Sequence, residues 1–148
     1  MEHVFEHTDR PATRARTVAE TRPSYQAFQI LRFGFTVAPV VAGLDKFFNL
    51  LVNWEQYLPP IALRVVGGHG HALMLVVGVI EVIAGIGVAL KPKIFAYVVS
   101  LWLLLIIANL LLIPGYFDVA LRDLGLAIGA FALGRLSEEF DGSEVAGR

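Results

Sequence analysis

The stretch IFAYVVSLWLLLIIANLLLI, residues 94–113, holds twenty consecutive residues without a charge. A bilayer hydrocarbon core of about 30 Å is crossed by about 20 helical residues, so this segment predicts a membrane span. Three more segments of similar length surround it. Upstream, beyond Lys91-Pro92-Lys93, residues 72–90 are apolar apart from Glu81. Downstream, beyond Pro114-Gly115, residues 116–136 are apolar around the pair Arg122-Asp123. Nearer the N-terminus, residues 25–44 are interrupted by Arg32. The expectation is an all-α, integral membrane four-helix bundle.

Composition supports the bilayer. The 148 residues are 56% hydrophobic and 17% charged, with a mean hydropathy of +0.65. A soluble domain is typically about 45–50% apolar and about 25% charged. Four helices hydrophobic all round would leave a soluble chain of this size with no polar surface for water. The net charge of −1 argues against a nucleic-acid partner, which calls for a basic stripe. There is no cysteine, which excludes disulfides, thiolate metal sites, cysteine-ligated iron–sulfur clusters and covalent haem attachment. Residues 1–24 contain no apolar core of signal-peptide length. Their arginines are balanced by acidic residues, so they read as a solvated tail. Residues 137–148, with Glu138, Glu139 and Asp141, read the same way.

Basic residues in the flanks set the expected orientation. Four arginines precede the first segment, and Lys91, Lys93 and Arg135 lie at the same level of the predicted bundle. Both termini are therefore expected on the cytoplasmic side. The short turns at Lys91-Pro92-Lys93 and Pro114-Gly115 predict antiparallel neighbours. The first connection is longer. Phe47, Leu50, Leu51, Trp54 and Leu58 recur at helical spacing, with Asn49, Asn53 and Gln56 opposite and Pro59-Pro60 as a stop. This predicts an amphipathic helix along the outer membrane surface, with Trp54 and Tyr57 at headgroup level. Its role is to cap the bundle or to cover a cleft.

Charge at membrane depth is expensive and needs a partner or a wet cavity. The candidates are Arg32, Asp45, Lys46, Glu81, Arg122 and Asp123, joined by Asn109. Their positions gather in the outer half of the predicted bundle, with Glu81 near the midplane and Arg32 lower. The six charges sum to zero, which suits a self-neutralising network that fixes helix register. It equally suits a polar pocket for a ligand, a proton or a quinone headgroup. Small residues share their faces: Thr36, Pro39 and Gly43 with Arg32 and Lys46; Gly78 and Gly85 with Glu81; Gly125 and Gly129 with Arg122. The last pair forms a GxxxG motif, which permits close helix approach. Arg122 has Asp118 one turn away as a local partner. Asp123 must look elsewhere, to Lys46 or Arg32. Glu81 has no base on its own helix and must either pair with an arginine of another span or hold a proton. Pro39 is expected to kink the first span. His69 and His71 do not share a helix face and have no third ligand nearby, so no metal is expected. No catalytic triad, phosphate loop or dinucleotide fingerprint is present.

These residues carry a resemblance. Ile30-Leu31-Arg32-Phe33-Gly34, Gly43-Leu44-Asp45-Lys46-Phe47-Phe48, Gly78-Val79-Ile80-Glu81 and Leu121-Arg122-Asp123-Leu124-Gly125-Leu126 resemble the DoxX/DoxD-like family of small four-span bacterial membrane proteins. The resemblance implies a four-helix bundle in the bacterial inner membrane. It also implies an association with membrane redox systems, including a thiosulfate:quinone oxidoreductase subunit. The absence of cysteine departs from redox-active relatives and puts thiol chemistry in doubt. The leading expectation is an accessory subunit of a membrane-bound redox or respiratory assembly, with no intrinsic cofactor and with quinone or lipid as possible contacts. Other membrane subunits or a second copy of the chain are its expected partners. The alternatives are a stand-alone enzyme or carrier for a small membrane-soluble substrate, and a purely structural or assembly factor.

Overall fold

A computed structural model describes residues 22–145, with side chains through residue 140. The expected N-terminal tail therefore lies almost entirely outside the described residues. The described chain forms five α-helices: α1 (Pro23–Phe48), α2 (Pro60–Val65), α3 (Gly70–Leu90), α4 (Pro92–Leu110) and α5 (Phe117–Val145). One 3-10 turn, Trp54–Tyr57, lies between α1 and α2.

Local chemistry places the boundaries. Proline opens α1, α2 and α4, where its missing N–H costs nothing and its fixed φ suits the helix. Lys91, the residue before Pro92, leaves the helical region with φ −139° and ψ 69° and ends α3. Asn49 adopts a left-handed conformation and returns its N–H to the Asp45 carbonyl, closing α1. Pro39 is accommodated inside α1, which runs unbroken to Phe48.

The helices pack as two pairs. α1 lies mainly against α3, and α4 mainly against α5, with thinner contacts of α3 on α4 and of α1 on α5 joining them. At the end of the molecule that holds Pro23 and Pro92, Phe28, Ala84, Val88, Ala96, Val99, Ala130 and Leu133 form an apolar core. Tyr25 and Phe140 pack against it, their rings edge to face at 5.3 Å. Large apolar side chains cover the outside, among them Phe33, Ile83, Leu101 and Leu121. Water would penalise such a surface, whereas lipid does not.

Two expectations need correction. The first is the four-span bundle. Among the described residues, three helices, α1, α3 and α4, are long and apolar enough to cross a membrane by length and composition. α5 is long enough, at 29 residues, but Asp118, Arg122, Asp123, Arg135, Glu138 and Glu139 load it with charge. No 18-residue stretch of it keeps to two charges or fewer. Moreover, the Asp118 and Arg122 side chains are 69% and 71% exposed on its surface, not turned into a bundle as buried charges require. The expected cytoplasmic side for both termini depended on four crossings and falls with them. α5 also runs past residue 136, so residues 137–145 are helix where a tail was expected.

The second correction is the amphipathic surface helix. Phe47 and Phe48 belong to the last turn of α1, residues 49–53 are not helical, and only the short 3-10 turn follows. Asp45 is the cause. Its carboxylate accepts the N–H groups of Leu50 (2.9 Å) and Leu51 (3.1 Å), which holds the chain in a turn. Asn53 then accepts from the Glu55 N–H at 3.1 Å and starts the 3-10 turn. Side-chain capping competes with helix continuation at these residues. Leu50 and Leu51 are left exposed.

Candidate functional site

Lys46 is the centre of the polar end. It sits on the last turn of α1, where its side chain is only 3% exposed. Its Nζ donates to Glu81 Oε2 on α3 at 2.5 Å, to the Ala42 carbonyl at 3.4 Å, and lies 3.6 Å from the centre of the Trp54 ring. The Glu81 side chain is 10% exposed. The partner that Glu81 needs is thus a lysine from α1, not an arginine. A cation over an indole face adds about 0.5–2 kcal/mol, and here the ring also shields the pair from outside.

The glycines that share these faces explain how the pair can form. A Cβ on Gly43 would come 2.5 Å from the Gly78 carbonyl oxygen, and one on Gly78 would come 2.6 Å from that of Gly43. Gly85 likewise abuts the Thr36 carbonyl. The backbones of α1 and α3 therefore touch, and Lys46 reaches Glu81 across a short gap. The GxxxG motif of α5 does not behave this way. Nothing lies within 4 Å of a Cβ on Gly125, and Gly129 meets only the ring of Phe35. That expectation of a close glycine-mediated helix approach is corrected.

Asp45, one residue before Lys46, points to the connection instead of the bundle. Besides its two backbone donors it accepts the Trp54 indole N–H at 2.7 Å, so the Asp45-Lys46 pair grips one tryptophan from edge and face. Asn109, at the end of α4, donates to the Tyr57 carbonyl at 2.8 Å. Tyr57 in turn packs edge to face on Tyr116 at 5.1 Å. The connection after α1 is thus pinned to α1, α4 and the start of α5.

The other candidates lie apart. Arg32 donates to the Ala89 carbonyl near the C-terminal end of α3, where a cation complements the helix dipole. Arg122 pairs with Asp118 at 2.9 Å on the exposed face of α5. Its guanidinium holds the Asp118 carboxyl below the usual carboxylate range, aided by the Val119 backbone N–H. Asp123 meets neither Lys46 nor Arg32. It is half-buried and makes no hydrogen bond or salt bridge among the described residues. His71 approaches Glu55 at 3.3 Å, and no group of metal-ligating residues occurs among the described residues.

Composition and spacing gave no reason to single out Trp102. Its indole Nε1 is buried and makes no hydrogen bond of normal geometry among the described residues. A lone tryptophan inside an uncharged segment was the available signal. At the opposite end, the Tyr97 hydroxyl donates to Glu138 at 2.8 Å and Arg135 binds the same carboxylate at 2.6 Å. That network ties α4 to the extended α5.

No known family matches. The chain agrees with no protein-family model, no curated protein and no solved structure. It is a helical protein whose three long apolar helices are consistent with a multi-pass membrane protein.

Proposed function

We propose that the chain is an accessory subunit of a membrane-bound redox or respiratory assembly in a bacterial inner membrane, with no activity of its own. The observation that carries this reading is the use to which the polar residues are put. Lys46, Glu81, Asp45, Arg32 and Asn109 each join one segment of the chain to another. Such contacts hold a fold in register and leave those groups little capacity for chemistry. The broad apolar exterior offers ground for lipid or for helices of other subunits. The redox context rests on the resemblance of the short motifs to DoxX-type proteins, and quinone or lipid are the ligands that context supplies.

The test is purification of the tagged chain from its native membranes in mild detergent. The expected result is a stoichiometric complex whose visible spectrum shows a flavin, haem or iron–sulfur chromophore brought by the partner. A monodisperse chain alone, without such absorbance and after prior cross-linking in the membrane, would overturn the proposal.

A further inference from the structure

The turn between α3 and α4 carries two cations with no counter-charge bound to them. Lys91 ends α3, and Lys93 lies in the first turn of α4. Pro92 between them is buried, so the turn presents both lysines outward, and both are exposed. Neither makes a salt bridge or a side-chain hydrogen bond among the described residues. Two nearby arginines are spent inside the molecule instead. Arg32 donates to the Ala89 carbonyl, and Arg135 binds Glu138, which also accepts from the Tyr97 hydroxyl. Leu90 before the lysines and Ile94 after them are 74% and 57% exposed. The order along the chain is thus apolar, cation, buried proline, cation, apolar.

Helix length decides what this turn meets. α3 has 21 residues and α4 has 19, about 32 and 28 Å at 1.5 Å per residue, and a hydrocarbon core is about 30 Å thick. Two such helices put the turn that joins them at headgroup level, continuous with their apolar exterior. Headgroups differ in what they offer two cations. A zwitterionic headgroup carries its own ammonium, which competes with lysine for the phosphate. An anionic headgroup such as phosphatidylglycerol brings a phosphodiester and no cation, and its oxygens accept from both ammonium groups. The lysine stems run along apolar surface to reach it, and its acyl chains lie against Leu90 and Ile94. The other end of α4 lacks this complementarity: Leu111 and Leu112 are exposed there, but residues 110–116 carry no charge. We propose that Leu90, Lys91, Lys93 and Ile94 form a docking surface for the headgroup of an anionic phospholipid. The inference goes beyond the accessory-subunit reading and needs no partner protein.

The chain has no cysteine, so Val98→Cys and Leu112→Cys each admit a single fluorophore. Val98 is exposed one turn along α4 from Ile94, and Leu112 is exposed beyond the other end of that helix. The full chain is reconstituted in phosphatidylcholine vesicles with a small fraction of phosphatidylglycerol or phosphatidylcholine bearing a nitroxide at the top of one acyl chain. Quenching is followed against quencher fraction. At position 98 the phosphatidylglycerol quencher should act at a mole fraction at least about five-fold lower, the worth of one surface lysine. At position 112 the two quenchers should act alike. Lys91→Gln with Lys93→Gln should abolish the preference. Lys91→Arg with Lys93→Arg should keep it, which separates loss of charge from misfolding. Excess glycerol phosphate in the buffer should change nothing. Equal quenching at position 98, the same preference at position 112, or a preference that survives the double glutamine variant would each overturn the surface. Loss of the preference to glycerol phosphate would overturn the lipid and assign the lysines to a free phosphate. A failed co-purification would leave these outcomes untouched.

Discussion

The two helix pairs are joined by different means. Between α1 and α3, glycines bring the backbones into contact and a buried ion pair crosses the gap. Between α4 and α5, a ring and not a backbone lies against the glycine. The Tyr97 ring fills the space over Gly134 and stacks edge to face on Phe131 at 5.5 Å. Among the described residues, the fully buried polar link between them is neutral, Ser100 Oγ to the Ala127 carbonyl at 2.9 Å, and the charged one, Tyr97 to Glu138, lies at the less buried end. Lipid lends no hydrophobic drive to helix association, so packing and polar links must supply it. The first pair draws it from two charged contacts, Lys46 to Glu81 and Arg32 to the Ala89 carbonyl. The second spreads it over rings, a hydroxyl and the Tyr97–Glu138 link. Single substitutions should therefore damage the first pair more.

The largest effect is expected at the ion pair. Lys46→Met leaves the Glu81 carboxylate buried without its cation, and removing one partner of a buried pair costs about 3–5 kcal/mol. Glu81→Met should be similar. The double substitution should recover most of the loss, since two well-packed apolar side chains replace a pair that was costly to desolvate. Denaturant unfolding in detergent, followed by circular dichroism, measures all three. Losses that add in the double variant would show that Lys46 and Glu81 act independently, and the asymmetry between the pairs would then rest on glycine packing alone.

The glycines come next. Gly43→Ala and Gly78→Ala each press a methyl group against a backbone carbonyl that cannot yield, and such overpacking costs about 1–3 kcal/mol. Gly125→Ala meets nothing within 4 Å and gains helix propensity of up to about 1 kcal/mol. The measurement is the same unfolding midpoint. A destabilising Gly125→Ala would mean that this face is packed in the membrane by something outside the chain.

These outcomes bear on what could be read in the sequence. Shared faces put Gly43 with Lys46 on one helix and Gly78 and Gly85 with Glu81 on another, because helical spacing decides which side chains face the same way, while the meeting of the two faces shows only in the fold. The same spacing misled in two places. It grouped Gly125 and Gly129 with Arg122, although a face of small residues is as compatible with an exposed side as with a packed one. It also drew Phe47 to Leu58 into one helix, because apolar periodicity cannot see a carboxylate taking the next two backbone N–H groups, as Asp45 does. Span counting failed at α5 for a related reason: length and mean apolarity admitted the segment, and the exposure of Asp118 and Arg122 depends on tertiary packing. Only its place as a lone tryptophan in an uncharged segment marked Trp102. Its interest lies in what its N–H lacks, and a missing partner has no sequence signature.

The neutral link of the second pair is worth less. Ser100→Ala removes the hydroxyl that reaches the Ala127 carbonyl. That carbonyl keeps its helical hydrogen bond, so the expected loss is about 1 kcal/mol, the net value of an ordinary hydrogen bond. A loss as large as that of Lys46→Met would remove the distinction between a charged and a neutral seam.

The smallest effect belongs to Asp118 and carries a sign. Its carboxyl is held below the usual carboxylate range in the folded chain by Arg122. A group with a depressed folded-state pKa stabilises above its unfolded pKa, and the contribution fades as pH falls through the folded value. The pair is exposed and screened by solvent, and such pairs contribute little. Asp118→Asn should thus leave the unfolding midpoint at neutral pH almost unchanged, and its small deficit should vanish on acidification below the ordinary carboxylate range. A large deficit at neutral pH would mean that the Asp118–Arg122 face is covered by lipid headgroups or another chain. It would make the exposed side of α5 a third seam, closed from outside the molecule.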